Sequence, residues 1–177
     1  MAYQLNLNWP EFLETYWQKK PVVLKQAFAN FIDPITPDEL AGLAMEPEVD
    51  SRLVSHKNGK WHASHGPFEH FDGLGETGWS LLAQAVNHWH APSAELVRPF
   101  RVLPDWRLDD LMISYSVPGG GVGPHIDQYD VFIIQGMGSR RWRVGDKLPM
   151  RQFSPKTAME ADDPNQPLSA VDLDPGD

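Results

Sequence analysis

Gly123-Pro124-His125-Ile126-Asp127 is the segment of this chain whose residue types and spacing best suit chemistry. In a strand, alternate side chains share a face, so His125 and Asp127 can aim an imidazole nitrogen and a carboxylate oxygen at one ion. With a second histidine, such a pair makes the two-histidine, one-carboxylate set that holds non-haem iron(II) and leaves positions open. Taken alone, His-x-Asp is a weak pattern, met more often by a turn histidine beside a solvated aspartate than by a metal site. The chain has no cysteine, so disulfides, zinc–thiolate sites and thiol nucleophiles are excluded, and a metal would need His, Asp or Glu.

A cation follows in Gly138-Ser139-Arg140-Arg141-Trp142-Arg143-Val144. As a strand, this segment puts Arg140, Trp142 and Val144 on one face and Arg141 and Arg143 on the other. An inward arginine is costly unless it meets an anion, which makes Arg140 a candidate partner for a carboxylate. The opposite register, with Arg140 in water, or snorkelling by all three arginines remains open on this pattern alone. Of the other histidines, His56, His62 and His65 lie in a hairpin segment, His70 follows it, and His88 and His90 flank Trp89. His88 and His90 would share a face in a strand, but no carboxylate stands in register with them.

The elements around these residues read as mostly β. A first helix is expected after Asn8, with Pro10 in its first turn and Trp9, Phe12, Leu13, Tyr16 and Trp17 on one face. Pro21 stops it. Val22-Val23-Leu24 reads as a short strand, and Thr36-Pro37-Asp38-Glu39 opens a second helix through Leu40 and Leu43. Ser51 to His56 and Lys60 to His65 flank Asn58-Gly59, the signature of a tight hairpin turn. Trp79 to His90 fits either helical or strand periodicity. Strands are expected over Leu111–Val117, Val131–Gln135 and Arg140–Val144, broken by Gly119-Gly120-Gly121 and the Gly136/Gly138 turn, while Ser154–Asn165 reads as a surface loop. The closing Asp174-Pro175-Gly176-Asp177 is a turn that would ordinarily deliver the chain into a further strand, so a truncation within the domain is expected.

Composition agrees with one β-rich domain: 177 residues, 41% hydrophobic, with 16 prolines and 14 glycines that would interrupt a helical bundle. We divide it into a helical N-terminal cover, 1–49, and a barrel, 50–177. The formal net charge is -9, and no basic track offers a path for a phosphate backbone, which argues against direct nucleic-acid binding. Neither a signal peptide nor an apolar run of about 18 residues is evident, so the reading is a cytoplasmic protein without a membrane segment.

Several segments together resemble the JmjC branch of the cupin-fold 2-oxoglutarate oxygenases, and within it the bacterial ribosomal oxygenases that hydroxylate an arginine of a large-subunit ribosomal protein. They are Tyr16-Trp17-Gln18-Lys19-Lys20-Pro21, Ser114-Tyr115-Ser116-Val117-Pro118-Gly119-Gly120-Gly121, Gly123 to Phe132, Gln135-Gly136, Arg140-Arg141-Trp142 and Asp174-Pro175-Gly176-Asp177. The resemblance implies a double-stranded β-helix (cupin or jelly-roll) with N-terminal helices, incomplete in this chain. It implies Fe(II) held by His125 and Asp127, 2-oxoglutarate held by Arg140, and O2 as the oxidant. It also favours Ser114 as a hydroxyl donor to the cosubstrate, with Tyr115 and Ser116 as rivals. The third ligand, a histidine, is expected beyond Asp177. The implied substrate is a ribosomal protein, and a homodimer would form through a region absent here. Relatives often carry Lys where Arg140 stands, and either cation can meet a carboxylate. At the mouth of the site, Asp109, Asp110, Asp130, Tyr115 and Tyr129 would suit a cationic target side chain. The competing readings are a cupin-type binding module without catalysis and a small-molecule cupin dioxygenase.

Overall fold

The structure is a computed structural model and describes residues 3–127, 129–145, 159–160 and 167–177. In chain order its elements are helices α1 (Trp9–Thr15) and α2 (Pro37–Ala44), strands β1 (Ser51–Lys57), β2 (Lys60–His65) and β3 (Trp79–Ala83), and short helices α3 (Val86–Trp89) and α4 (Ala91–Ala94). Strands β4 (Ile113–Ser116), β5 (His125–Ile126), β6 (Arg140–Val144), β7 (Met159–Glu160) and β8 (Ser169–Leu173) follow. The chain divides into two compact units, Pro34–Gly123 and Tyr3–Asp33 with Pro124–Asp177. No helix among the described residues is long and apolar enough to cross a membrane.

The first unit is an antiparallel sheet in the order β2-β1-β3-β4. Its hairpin turns at Asn58 and Gly59, both with positive φ (52° and 74°), as a two-residue turn between right-twisted strands requires. Helix α2 starts where Thr36 and Glu39 cap each other: the Glu39 amide donates to Thr36 Oγ1 (3.3 Å) and the Thr36 amide to Glu39 Oε2 (2.8 Å). The helix buries Leu40 against Ile35, Val49, Ala83 and Val86, and removing these side chains from water supplies the unit's apolar stabilisation.

Alternation along β3 and β4 gives this sheet two unlike faces. Ser80, Leu82, Ser114 and Ser116 stand on one, where the Ser80 and Ser116 hydroxyls bond at 2.7 Å. On the other stand Trp79, Leu81, Ile113 and Tyr115.

The second unit is built on aromatic packing. Asn8 Oδ1 accepts from the Glu11 amide to start α1. Phe132 then lies 5.7 Å from Phe12 and 5.8 Å from Trp17, ring centre to ring centre, stacked on the latter. Strands β6 and β8 pair antiparallel, Arg140 opposite Leu173 and Trp142 opposite Val171, while β5 pairs with β7. The closing turn is tied to the segment after α1: the Phe28 amide donates to Gly176 O (2.9 Å), and Asp177 accepts from the Lys25 ammonium (2.5 Å) and the Gln26 amide (2.8 Å).

The two main helices, the hairpin and the strands at Leu111–Val117 and Arg140–Val144 are present as the sequence suggests, the first of these strands shortened to Ile113–Ser116. The ambiguous stretch is both things in turn: a strand to Ala83, then a helix entered through Ala85 at φ 52°. Two expected strands are absent among the described residues. Val22-Val23-Leu24 forms no ladder, because its neighbourhood pairs instead through a single bridge, Leu5 with Phe28. Val131–Gln135 has no ladder among the described residues; Gln135 gives to Asp177 O and accepts from the Gly176 amide. Strand β8, which the sequence did not announce, supplies the partner of β6. Apart from Met159–Glu160, the expected loop at 154–165 lies outside the described residues.

Candidate active site

His125 opens the two-residue strand β5, and Asp127 follows one residue beyond it. His125 Nε2 lies 3.6 Å from Asp127 Oδ2, with the side chains 30% and 40% exposed. The alternation expected from the sequence therefore brings the two donor atoms together, at a separation compatible with adjacent positions on one metal ion. The approach to the pair depends on glycine. Gly123 sits at φ +79°, and a Cβ there would lie 2.9 Å from the Trp61 indole, so a side chain would meet both backbone strain and a clash. Among the described residues no group of three His, Asp or Glu could hold a metal. His88 lies in α3 and His90 just after it, so their strand-like pairing does not exist.

Arg140 and Trp142 occupy the less exposed positions of β6, while Arg141, Arg143 and Val144 are exposed. The register is thus the one that turns Arg140 inward. Burial pushes its guanidinium below the usual arginine value, because the charged form has lost water. No salt bridge to Arg140 is formed among the described residues. On the same face, the buried Trp142 Nε1 has no hydrogen-bond partner among the described residues. A confined cation and an unmatched N–H donor, side by side, fit a carboxylate ligand, since each donor otherwise loses hydration without return. The sequence placed Trp142 beside Arg140 but gave it no part; the alternation that flagged Arg140 was the available signal.

Ser114 is the exposed position of β4, opposite Leu82 of β3. Of its rivals, Tyr115 is on the other face of the sheet, and the Ser116 hydroxyl is engaged with Ser80. Of the suggested acidic mouth residues, Asp110 accepts from the Ala85 amide (2.7 Å) and from Gln84 (3.3 Å), and Asp130 accepts from Gln18 (3.1 Å). These two carboxylates are engaged in holding loops.

The strand-rich fold is that of the JmjC cupins, present in part. Residues 95–177 match the JmjC domain family, and that segment contains Ser114, His125, Asp127 and Arg140. The chain is 71% identical over 177 residues to the ribosomal protein uL16 3-hydroxylase of Escherichia coli (strain K12), covering 100% of this chain and 48% of that protein. It is 35% identical over 171 residues to the probable ribosomal oxygenase of Haemophilus influenzae, covering 94% of this chain and 42% of that one. The X-ray structure of E. coli YcfD superposes with a TM-score of 0.94 at 70% identity, over 99% of this chain and 47% of that chain. The YcfD ribosomal oxygenase in complex with cobalt and 2-oxoglutarate superposes with a TM-score of 0.91 at 68% identity, over 99% and 45%. This chain spans about half the length of the curated relatives it matches.

Proposed function

We propose that this chain is the cosubstrate-binding part of an iron(II)- and 2-oxoglutarate-dependent protein hydroxylase acting on an arginine of a large-subunit ribosomal protein. The observation that carries the reading is the 71% identity, across all 177 residues, to a ribosomal protein hydroxylase. The convergence of His125 and Asp127 to 3.6 Å supports it. His125 and Asp127 are assigned as two of the iron ligands, with the third a histidine beyond Asp177. Arg140 is assigned to the far carboxylate of 2-oxoglutarate, and Ser114 to a supporting hydroxyl.

When bound, the iron supplies the activation of O2 that couples oxidative decarboxylation of 2-oxoglutarate, to succinate and CO2, with hydroxylation of a substrate C–H bond. The residues of this chain bind and orient. His125 must be neutral at Nε2 to offer a lone pair, and the Asp127 carboxylate offsets part of the metal's charge. Arg140 fixes the cosubstrate through a charge-assisted pair made in a partly desolvated setting, where such pairs are stronger. The acidic balance of the chain, net -9, suits a basic protein partner met in the cytoplasm. The division into a helical cover, 1–49, and a barrel, 50–177, belongs to the same reading.

The test supplies the intact protein with iron(II), ascorbate, 2-oxoglutarate and an arginine-containing uL16 peptide. The expected result is peptide-stimulated succinate with the mass gain of one oxygen atom on an arginine. Succinate that the peptide does not stimulate, with no mass gain, would remove the protein-hydroxylase reading.

A further inference from the structure

In the first unit, a cavity of about 580 Å³ opens on the face of β3 and β4 opposite Ser114, between the start of α2 and the loop before β3. Its floor is Leu81, Trp79 and Tyr115, with the last two rings 5.8 Å apart and tilted by 56°. Phe71 adds a wall, and Asp38 and Glu76 stand exposed at the lips, one on the helix and one on the loop. None of the described residues lining it is basic.

Two features make this a shaped site. Trp79 Nε1 donates to Gly75 O at 2.9 Å, which fastens the loop carrying Glu76 to the aromatic floor. Helix α2 is capped by Thr36 and Glu39, so Asp38 has no capping duty, and it forms no salt bridge among the described residues.

We propose that this groove docks an arginine side chain of the ribosomal-protein partner, which rests on the partner named above. Ring faces attract a cation, a planar guanidinium stacks on Trp or Tyr, and two carboxylates can accept its forked N–H groups. The acidic lips, the aromatic floor and the lack of a competing basic residue select arginine over an acidic or purely apolar occupant. A side chain seated here lies across the sheet from Ser114, so the docking arginine is a second residue, separate from one presented on the Ser114 face.

The experiment follows the indole N–H signal of Trp79 by NMR in the intact protein, assigned with Trp79→Phe, during titration with a blocked arginine tripeptide and its neutral citrulline counterpart. Arginine should shift the signal saturably and citrulline should not. Asp38→Asn combined with Glu76→Gln, checked for an unchanged melting temperature, should weaken binding of the peptide and of uL16 by about three- to tenfold. A Trp79 signal that arginine leaves in place, or equal affinity in the double variant, overturns the proposal. A Trp79 response in a protein that hydroxylates nothing supports the groove and counts against the hydroxylase reading alone.

Discussion

Asp177 and Asp127 belong to the same unit, yet the structure holds them in opposite ways. The Asp177 side chain is 2% exposed and accepts from the Lys25 ammonium and the amides of Gln26 and Asp174. Burial pushes its carboxyl up, but the Asp174 amide, Lys25 and the Gln26 amide outweigh that and hold it at about 2. Asp127 is 40% exposed, and its ion-pair neighbour among the described residues is His125 at 3.6 Å. A carboxylate that closes a fold has its lone pairs filled by donors, whereas one that serves a metal must keep them open. The cations repeat the contrast: Lys25 is engaged with Asp177, while Arg140 is partly buried with no such partner among the described residues.

The comparison breaks most sharply in activity. In the intact protein, Asp127→Ala or His125→Ala should reduce 2-oxoglutarate-dependent succinate formation to background and leave the melting temperature unchanged. Loss of fold in either variant would mean that the pair is structural after all.

Asp177→Ala should do the reverse. It strands two backbone amides and frees Lys25, costing ~2–4 kcal/mol in chemical denaturation. Its pH dependence follows from the depressed pKa. The stability contributed is complete above the ordinary carboxyl value of 3.8 and is lost as pH falls through about 2. A wild-type acid unfolding curve identical to that of Asp177→Ala would refute the assignment.

Smaller effects sharpen the contrast between the cations. Arg140→Ala should raise the 2-oxoglutarate concentration needed for half-maximal turnover by about tenfold to a hundredfold, the equivalent of ~1.5–3 kcal/mol. Unaltered dependence would put Arg140 in a solvated role. Smallest is Gly123→Ala, where positive φ and the Trp61 contact should cost ~1–2 kcal/mol of stability. A neutral result in thermal unfolding would show that the approach to His125 tolerates a side chain.

What the sequence made legible was local. Asn58-Gly59 announced its hairpin, Thr36 and Glu39 their helix, and the period of two along Arg140–Val144 put Arg140 and Trp142 on one face while leaving open which face is inward, because each depends on neighbours a few residues away. Val131–Gln135 had a strong strand composition, but Phe132 is used in aromatic packing with Phe12 and Trp17, and composition does not state which backbone is within reach. Strand β8 was missed because Ser169-Ala170-Val171-Asp172-Leu173 carries only two large apolar side chains before a turn. The Lys25–Asp177 closure joins distant parts of the chain, and no periodicity reports such a pairing. At the site, residue types pointed to His125, Asp127 and Arg140, while the unmatched Trp142 N–H became visible only when its burial was known.

The most direct test of an uncommitted Asp127 is calorimetric titration of cobalt(II) into the intact protein with 2-oxoglutarate present, for wild type and Asp127→Asn. One cobalt site per chain is expected in the wild type, and loss of that site in a variant that melts at the same temperature. Equal cobalt affinity in Asp127→Asn would contradict it.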